Sequence, residues 1–197
     1  MEIRASEVNE LRKKTGAGMM LCKKALEEAN GSIEKAVEIL RKKGIDTAMK
    51  KEGRATKDGT IISYIHPGAK LGVLLEISCE TDFVAKTDDF QTLAKDIAMH
   101  IAAANPLYIK REDIPSDILE KEKEIYAHQL KEQKKPDNVI EKILPGKIDK
   151  YCSEICLMEQ PFVKTPEFSI KNILTERISK LGENIIIRRF VRYKLGE

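Results

Sequence analysis

Cys152 and Cys156 lie one helical turn apart, a spacing at which two thiols can share a metal ion. A structural zinc takes about four ligands. None of His66, His100 or His128 stands at a paired spacing beside the two thiols. All four cysteines (Cys22, Cys79, Cys152, Cys156) therefore read as packing residues, reduced in the cytoplasm. Thr15-Gly16-Ala17-Gly18 is not a phosphate loop, because it follows a helical segment and lacks a closing Gly-Lys-Ser/Thr; it reads as an interhelical turn. The sequence holds no Ser elbow, paired-His motif or Cys–His arrangement. Most carboxylates alternate with lysines on helix faces, where solvated ion pairs are expected. The reading is of a protein that does no covalent chemistry and carries no metal or cofactor.

The segment with functional character is Cys79-Glu80-Thr81-Asp82-Phe83-Val84-Ala85-Lys86. It joins an apolar strand to a helix, the type of connection on which binding residues tend to sit. Thr81 can cap a single helical turn that holds Asp82 and Phe83 in one pose. Phe83 either packs inward or projects into solvent, and periodicity does not separate the two.

The elements around this segment follow from pattern and punctuation. Residues 3 to 44 predict three short helices: Ser6 caps the first, which carries Val8 and Leu11 and stops at Gly16. The second runs from about Met19 through Leu26 to Asn30-Gly31. Ser32 caps the third, with Ile33, Ala36, Val37 and Leu40 on one face and Gly44 at its end. Such helices are too short to stand alone and must share a core. Residues 46–59 form a polar, basic connector, which is either solvated or in contact with an acidic partner.

Strands are predicted over 60–65 and 71–78, joined by the turn His66-Pro67-Gly68-Ala69-Lys70; in the second, Val73, Leu75 and Ile77 alternate with Leu74, Glu76 and Ser78, so one face is apolar. A helix over 88–104 buries Phe90, Leu93, Ala94, Ile97, Ala98 and Ile101 and ends at Asn105-Pro106. Residues 116–158 form a helical hairpin broken at Pro136-Asp137. Its narrow apolar seam suits a coiled-coil arm, and an ordinary surface helix pair fits equally. A helix over 170–181, a stop at Gly182 and a strand from Ile185 close the chain. This last strand pairs with the 60–78 hairpin. The fold class is thus α+β: an N-terminal helical unit (1–45), the connector, and a core (60–197) with a three-stranded antiparallel sheet, helices on one face and the arm.

Composition bounds the function classes. Charged residues are 34% and apolar ones 42%, which fits a folded, soluble chain rather than a disordered one. No apolar run nears the roughly 20 residues of a membrane span. The start, Met1-Glu2-Ile3-Arg4, lacks a secretory apolar region, so a cytoplasmic location is expected. The net charge of +3 does not itself call for nucleic acid.

Thr81-Asp82-Phe83-Val84-Ala85 resembles the signature of the elongation factor Ts family. The segment Leu11-Arg12 through Thr15-Gly16-Ala17-Gly18-Met19-Met20 to Cys22-Lys23-Lys24-Ala25-Leu26 is similar to that family's first module. Gln160-Pro161-Phe162-Val163 and Gly182-Glu183-Asn184-Ile185 with Arg188-Arg189 are similar to its C-terminal motifs. The resemblance implies a guanine-nucleotide exchange factor, acting in translation on the GDP-bound and nucleotide-free forms of the GTPase elongation factor Tu. It also implies that residues 1–45 form a ubiquitin-associated-like docking domain, with Arg12 and Lys23 facing the partner. Lys51 matches another contact, and Asp82 and Phe83 match the pair that wedges beside the partner's magnesium site. Thr81 and Val84 flank that wedge, His66 matches a second contact, and Leu181 and Gly182 match a third patch.

Longer members of the family carry two half-repeats in the core, whereas one core here bears both His66 and the Asp82-Phe83 pair. A homodimer is therefore expected, in which one GTPase meets Phe83 from one subunit and His66 from the other. Leu21 stands where many relatives have Asp, which is expected to weaken one polar contact. Two other readings compete. One is a scaffold that uses the bundle and arm without exchanging nucleotide. The other is a nucleic-acid binder built on Arg41, Lys42, Lys43, Lys50 and Lys51. Interspersed acidic residues and the lack of an aromatic platform speak against the second, so neither nucleic acid nor a membrane is an expected partner.

Overall fold

A computed structural model describes residues 3–15 and 17–197. The chain divides by packing into two compact units. One comprises Met1–Ile61, Glu76–Ala94 and Asn172–Arg188; the other comprises Ile62–Leu75, Lys95–Lys171 and Arg189–Glu197.

The first unit begins with α1 (Ala5–Thr15), α2 (Met19–Glu28) and α3 (Ile33–Lys51). Their shared core is Val8, Leu11, Cys22, Ala25, Leu26, Ala29 and Ala36, flanked by Ile3, Ala17, Ile33, Ile39 and Leu40. Each fully buried leucine contributes roughly 1.5–3 kcal/mol, which offsets the poor intrinsic stability of helices this short. Ser6 is not the cap of α1. The helix begins one residue before it, because Glu7 Oε2 accepts the Arg4 backbone N–H at 2.9 Å and the Arg4 carbonyl accepts from Val8 at 3.2 Å. Gly16, the expected stop, lies outside the described residues; α1 ends at Thr15, whose hydroxyl donates to the Leu11 carbonyl at 2.8 Å.

α2 ends where expected. Asn30 takes φ 51° and the Gly31 N–H returns to the Leu26 carbonyl at 2.8 Å. Ser32 caps α3 by accepting from the Lys35 N–H at 3.4 Å. Two expectations for α3 are corrected. Val37 is exposed, and Ile39 packs on the core instead. Gly44 does not end the helix: it keeps a helical backbone, buried beside Ser179, and α3 continues to Lys51. The stop falls at Gly53, whose φ of 84° is the left-handed conformation that terminates helices.

β1 (Asp58–Ile65) and β2 (Leu71–Cys79) bracket the expected strands, with β5 (Ile186–Lys194) on the free side of β2. The pairings are antiparallel. The His66 N–H donates to the Leu71 carbonyl at 2.9 Å across the first turn. On the other side Ser78 Oγ meets the Ile186 carbonyl at 3.4 Å and the Leu195 N–H meets the Lys70 carbonyl at 2.8 Å. Val73, Leu75 and Ile77 point into the core, while Leu74 is 48% exposed. Ser78, read as outward by alternation, is buried. It accepts from Arg188 Nε at 2.9 Å and shares a hydrogen bond with Thr56 Oγ1 at 3.1 Å, and Arg188 also reaches Thr56 Oγ1 at 2.6 Å. This network fixes the register of β5 against β2 with buried polar partners.

After β2 come α4 (Asp82–Ala85) and α5 (Asp88–Ala104). The expected α5 stripe (Phe90, Leu93, Ala94, Ile97, Ala98, Ile101) is buried, and Asn105 at φ 49° ends the helix. In the second unit α6 (Ser116–Glu132) and α7 (Asp137–Ile155) form the expected hairpin. Its base is a cluster of Ile114, Ile148, Cys152 and Cys156 with Tyr108, Ile118, Leu119, Tyr126, Tyr151 and Ile155. α7 runs without interruption through Pro145-Gly146. Arg111 ties the base to α7 and the chain beyond it, donating to Asp149 and to Glu159, each at 2.6 Å. A two-stranded ladder, β3 (Pro161–Phe162) with β4 (Thr165–Ser169), was not expected from the sequence; α8 (Ile170–Leu181) follows it.

Gln160, at the start of the first C-terminal motif, is buried against His100. Its Oε1 lies 3.0 Å from His100 Nε2, and its amide group donates to the Glu154 carbonyl at 2.6 Å. Among the described residues no helix is long and apolar enough to cross a membrane.

Candidate functional site

The turn at 81–85 is built as its residues dictate. Thr81 sits in extended backbone (φ −132°, ψ 156°) and its Oγ1 accepts from the Val84 N–H at 3.4 Å. Ala85 is buried and anchors the turn, its carbonyl accepting from Gln91 Nε2 at 2.7 Å. Thr87 then donates to the Val84 carbonyl at 2.8 Å and accepts from the Phe90 N–H at 3.3 Å, which starts α5. Between these fixed ends Phe83 is 81% exposed. Inward packing, one of the two poses open to it, is overturned: the neighbouring core position is filled by Ala85.

Asp82 pairs with Lys86, one turn along, at 2.7 Å. That hydrogen bond holds the Asp82 carboxyl below the usual carboxylate range. Cys79 donates to the Thr81 carbonyl at 3.1 Å. Burial, reinforced by the charge of Glu183, pushes its thiol up to about 11, so it stays protonated near neutral pH. Cys22, Cys79, Cys152 and Cys156 are all buried free thiols.

The structure brings some of the expected residues together. Lys51, at the end of α3, donates through Nζ to the Gly182 carbonyl. Gly182, at φ 78°, ends α8 just after half-buried Leu181. The next residue, Glu183, reaches the 80–81 backbone. Its Oε2 accepts from the Glu80 and Thr81 N–H groups, both at 3.0 Å, and its Oε1 accepts from the Thr81 hydroxyl at 2.6 Å. Glu80 answers: its Oε1 accepts from the Asn184 N–H at 2.7 Å, and Arg54 lies 3.6 Å from its Oε2. Arg12 and Lys23 stand exposed on α1 and α2 of the same unit. His66 belongs to the second unit, at the end of β1, exposed, with Nδ1 3.1 Å from Tyr64 Oη. Val84 is half-buried, and Leu21 is 49% exposed beside Met19 and Met20.

Glu80, Glu183, Asn184 and Arg54 were not foreseen as parts of the site. The sequence signal for Glu183 is its place in the Gly182-Glu183-Asn184-Ile185 motif, between a helix-stopping glycine and an apolar run. A contact across about a hundred residues leaves no periodicity to read.

The family model described as Elongation factor TS matches residues 3–197. The chain is 58% identical over 197 residues to the elongation factor Ts of Geobacter sulfurreducens, covering 100% of this chain and 91% of that one. It is also 58% identical to that of Thermodesulfovibrio yellowstonii, covering 100% and 98% of the two chains. Identity to the elongation factor Ts of Fervidobacterium nodosum is 57%, with both chains fully covered. The chain belongs to the elongation factor Ts family.

Proposed function

We propose that this protein is a guanine-nucleotide exchange factor for elongation factor Tu, acting in the cytoplasm during the elongation phase of protein synthesis, with Asp82 and Phe83 as the wedge. The observation that carries this reading is the pose of Phe83: an aromatic ring in solvent on a turn whose backbone is hydrogen-bonded at both ends. A partner that covers this side chain gains roughly 1.5–3 kcal/mol from its burial.

The mechanism is one of linkage. A factor that binds the nucleotide-free GTPase more tightly than the GDP form must weaken GDP binding by the same ratio. Burying Phe83 between partner helices supplies about 2 kcal/mol, which is roughly a thirtyfold shift in that ratio. Directed against the groups that position magnesium, it removes the charge that neutralises the phosphates. Asp82 brings a carboxylate to the same place, charged because Lys86 favours its ionised form. The helical unit docks through Arg12 and Lys23, while Lys51, Leu181 and Gly182 extend the contact. No bond is made or broken.

His66 enters through a second copy of the chain. In the second unit Ile65, Leu74, Tyr193 and Leu195 are 62%, 48%, 73% and 76% exposed on strands and strand ends that line one shallow depression. An apolar surface of that kind fits self-association, and pairing supplies Phe83 and His66 from different subunits. The basic cluster offers less to nucleic acid, since Lys43 is paired with Glu28 at 2.5 Å.

The test is release of fluorescent GDP from elongation factor Tu, followed by stopped flow with the wild-type factor, Phe83→Ala and Asp82→Ala. Slow release with an intact fold is expected for Phe83→Ala. Release as fast as wild type rules out the wedge, and a wild-type factor that binds without speeding release favours a scaffold.

A further inference from the structure

We infer that Glu183 is a positioning residue for exchange, whose carboxylate holds the turn that presents Phe83; the inference rests on the wedge reading. A four-residue helix is far below the length at which helices persist by themselves. Phe83 contributes almost no burial within the chain, and within α4 only Ala85 is buried. The pose therefore needs an external constraint, and Glu183 supplies three hydrogen bonds to it. A charged acceptor makes each of these stronger than a neutral one would.

The arrangement also selects the orientation of the Thr81 hydroxyl. That hydroxyl has one proton. Donating it to Glu183 Oε1 at 2.6 Å leaves the oxygen free to accept the Val84 N–H at 3.4 Å, which is the cap of α4. Without Glu183 the hydroxyl is free to turn toward other acceptors, and the Glu80 and Thr81 N–H groups lose their partner.

Glu183 is itself held. Its neighbours are tied by Lys51 to the Gly182 carbonyl and by the Asn184 N–H to Glu80 Oε1 at 2.7 Å, while Asn184 Nδ2 donates to the Arg54 carbonyl at 3.0 Å. The end of α3, the 80–81 backbone and the end of α8 thus form one closed set of contacts. A wedge fixed before the encounter loses less entropy on insertion than one that must order as it binds.

The experiment measures GDP release from elongation factor Tu at saturating factor for wild type, Glu183→Ala, Glu183→Gln, Phe83→Ala and the Glu183→Ala/Phe83→Ala pair. Hydrogen exchange at the Val84, Ala85 and Lys86 amides is followed in the free factor. Release about tenfold slower is expected for Glu183→Ala, with faster exchange at those amides. Glu183→Gln should fall between, since its one oxygen can still accept the two N–H groups but its amide nitrogen cannot accept the Thr81 hydroxyl. The pair should be no slower than Phe83→Ala alone, because Glu183 acts through Phe83. If Glu183→Ala does not fold, Glu183→Gln carries the comparison.

Wild-type release in the Glu183 variants beside slow release in Phe83→Ala overturns the role of Glu183 and leaves the wedge. Additive losses in the pair, or slow release without faster amide exchange, also overturn it. Wild-type release in Phe83→Ala overturns the wedge itself, and the role of Glu183 in exchange falls with it.

Discussion

Lys51 and Gly182, 131 residues apart in sequence, are joined by a hydrogen bond from the Lys51 ammonium to the Gly182 carbonyl. The bond links the last turn of α3 to the glycine that ends α8, two places that family resemblance marks independently as partner contacts. Lys51→Ala is expected to leave thermal stability within about 1 kcal/mol of wild type, as for other exposed charged contacts. It should slow GDP release by up to roughly fivefold, the equivalent of that energy. Thermal unfolding and stopped-flow release on one preparation check both parts.

Phe83 and Phe90 lie seven residues apart and are expected to respond oppositely. Phe83 is 81% exposed, so Phe83→Ala should change unfolding free energy by no more than about 0.5 kcal/mol. Phe90 is fully buried on α5, so Phe90→Ala should cost about 3–5 kcal/mol. Urea unfolding of the two variants measures the contrast. Equal losses would mean that Phe83 packs on the chain after all.

His100 makes the fold sensitive to acid. The Val163 N–H donates to its Nδ1 at 3.4 Å, so Nε2 carries the proton that goes to Gln160 Oε1 at 3.0 Å. Burial holds the imidazole pKa below its ordinary 6.5, and the Gln160 hydrogen bond works the other way. The unfolded chain therefore takes up a proton that the folded chain resists. The stability from neutral His100 is fully present above about pH 6.5 and is lost as pH falls toward the lowered folded value. Urea midpoints between pH 7.5 and 5.5 should fall in the wild type and fall less in His100→Gln.

Tyr193 and Leu195 test the pairing of subunits. Both are more than 70% exposed, at 73% and 76%, so Tyr193→Asp with Leu195→Asp should leave the fold intact. Light scattering is expected to show a dimer for wild type and a monomer for this variant, with reduced GDP release. A wild-type factor that is monomeric at working concentration yet fully active would exclude a shared site.

Much of the architecture was legible from the chain because its signals are local. The α5 stripe, the Ser32 cap, the Asn30-Gly31 stop and the alternation of Val73, Leu75 and Ile77 each act within a few residues, and the structure uses each as expected. Local rules misled where a second constraint was present. Gly44 was read as a stop, but a stop needs the left-handed backbone, which Gly53 takes and Gly44 does not. Ser6 looked like a cap, but Glu7 reaches back to Arg4 and starts the helix earlier.

The sequence by itself determined the family motifs, the helical periods and the Thr81 cap, because capping and amphipathicity are written in adjacent residues. Only the tertiary structure decided that Phe83 faces solvent and that Glu183, rather than the turn alone, holds it there. The direction of one aromatic ring in a five-residue segment depends on what fills the space beneath it. Here Ala85 is the buried residue of the turn, and a carboxylate from the far end of the chain accepts from the Glu80 and Thr81 N–H groups. Such contacts join residues about a hundred positions apart, and no local pattern encodes them.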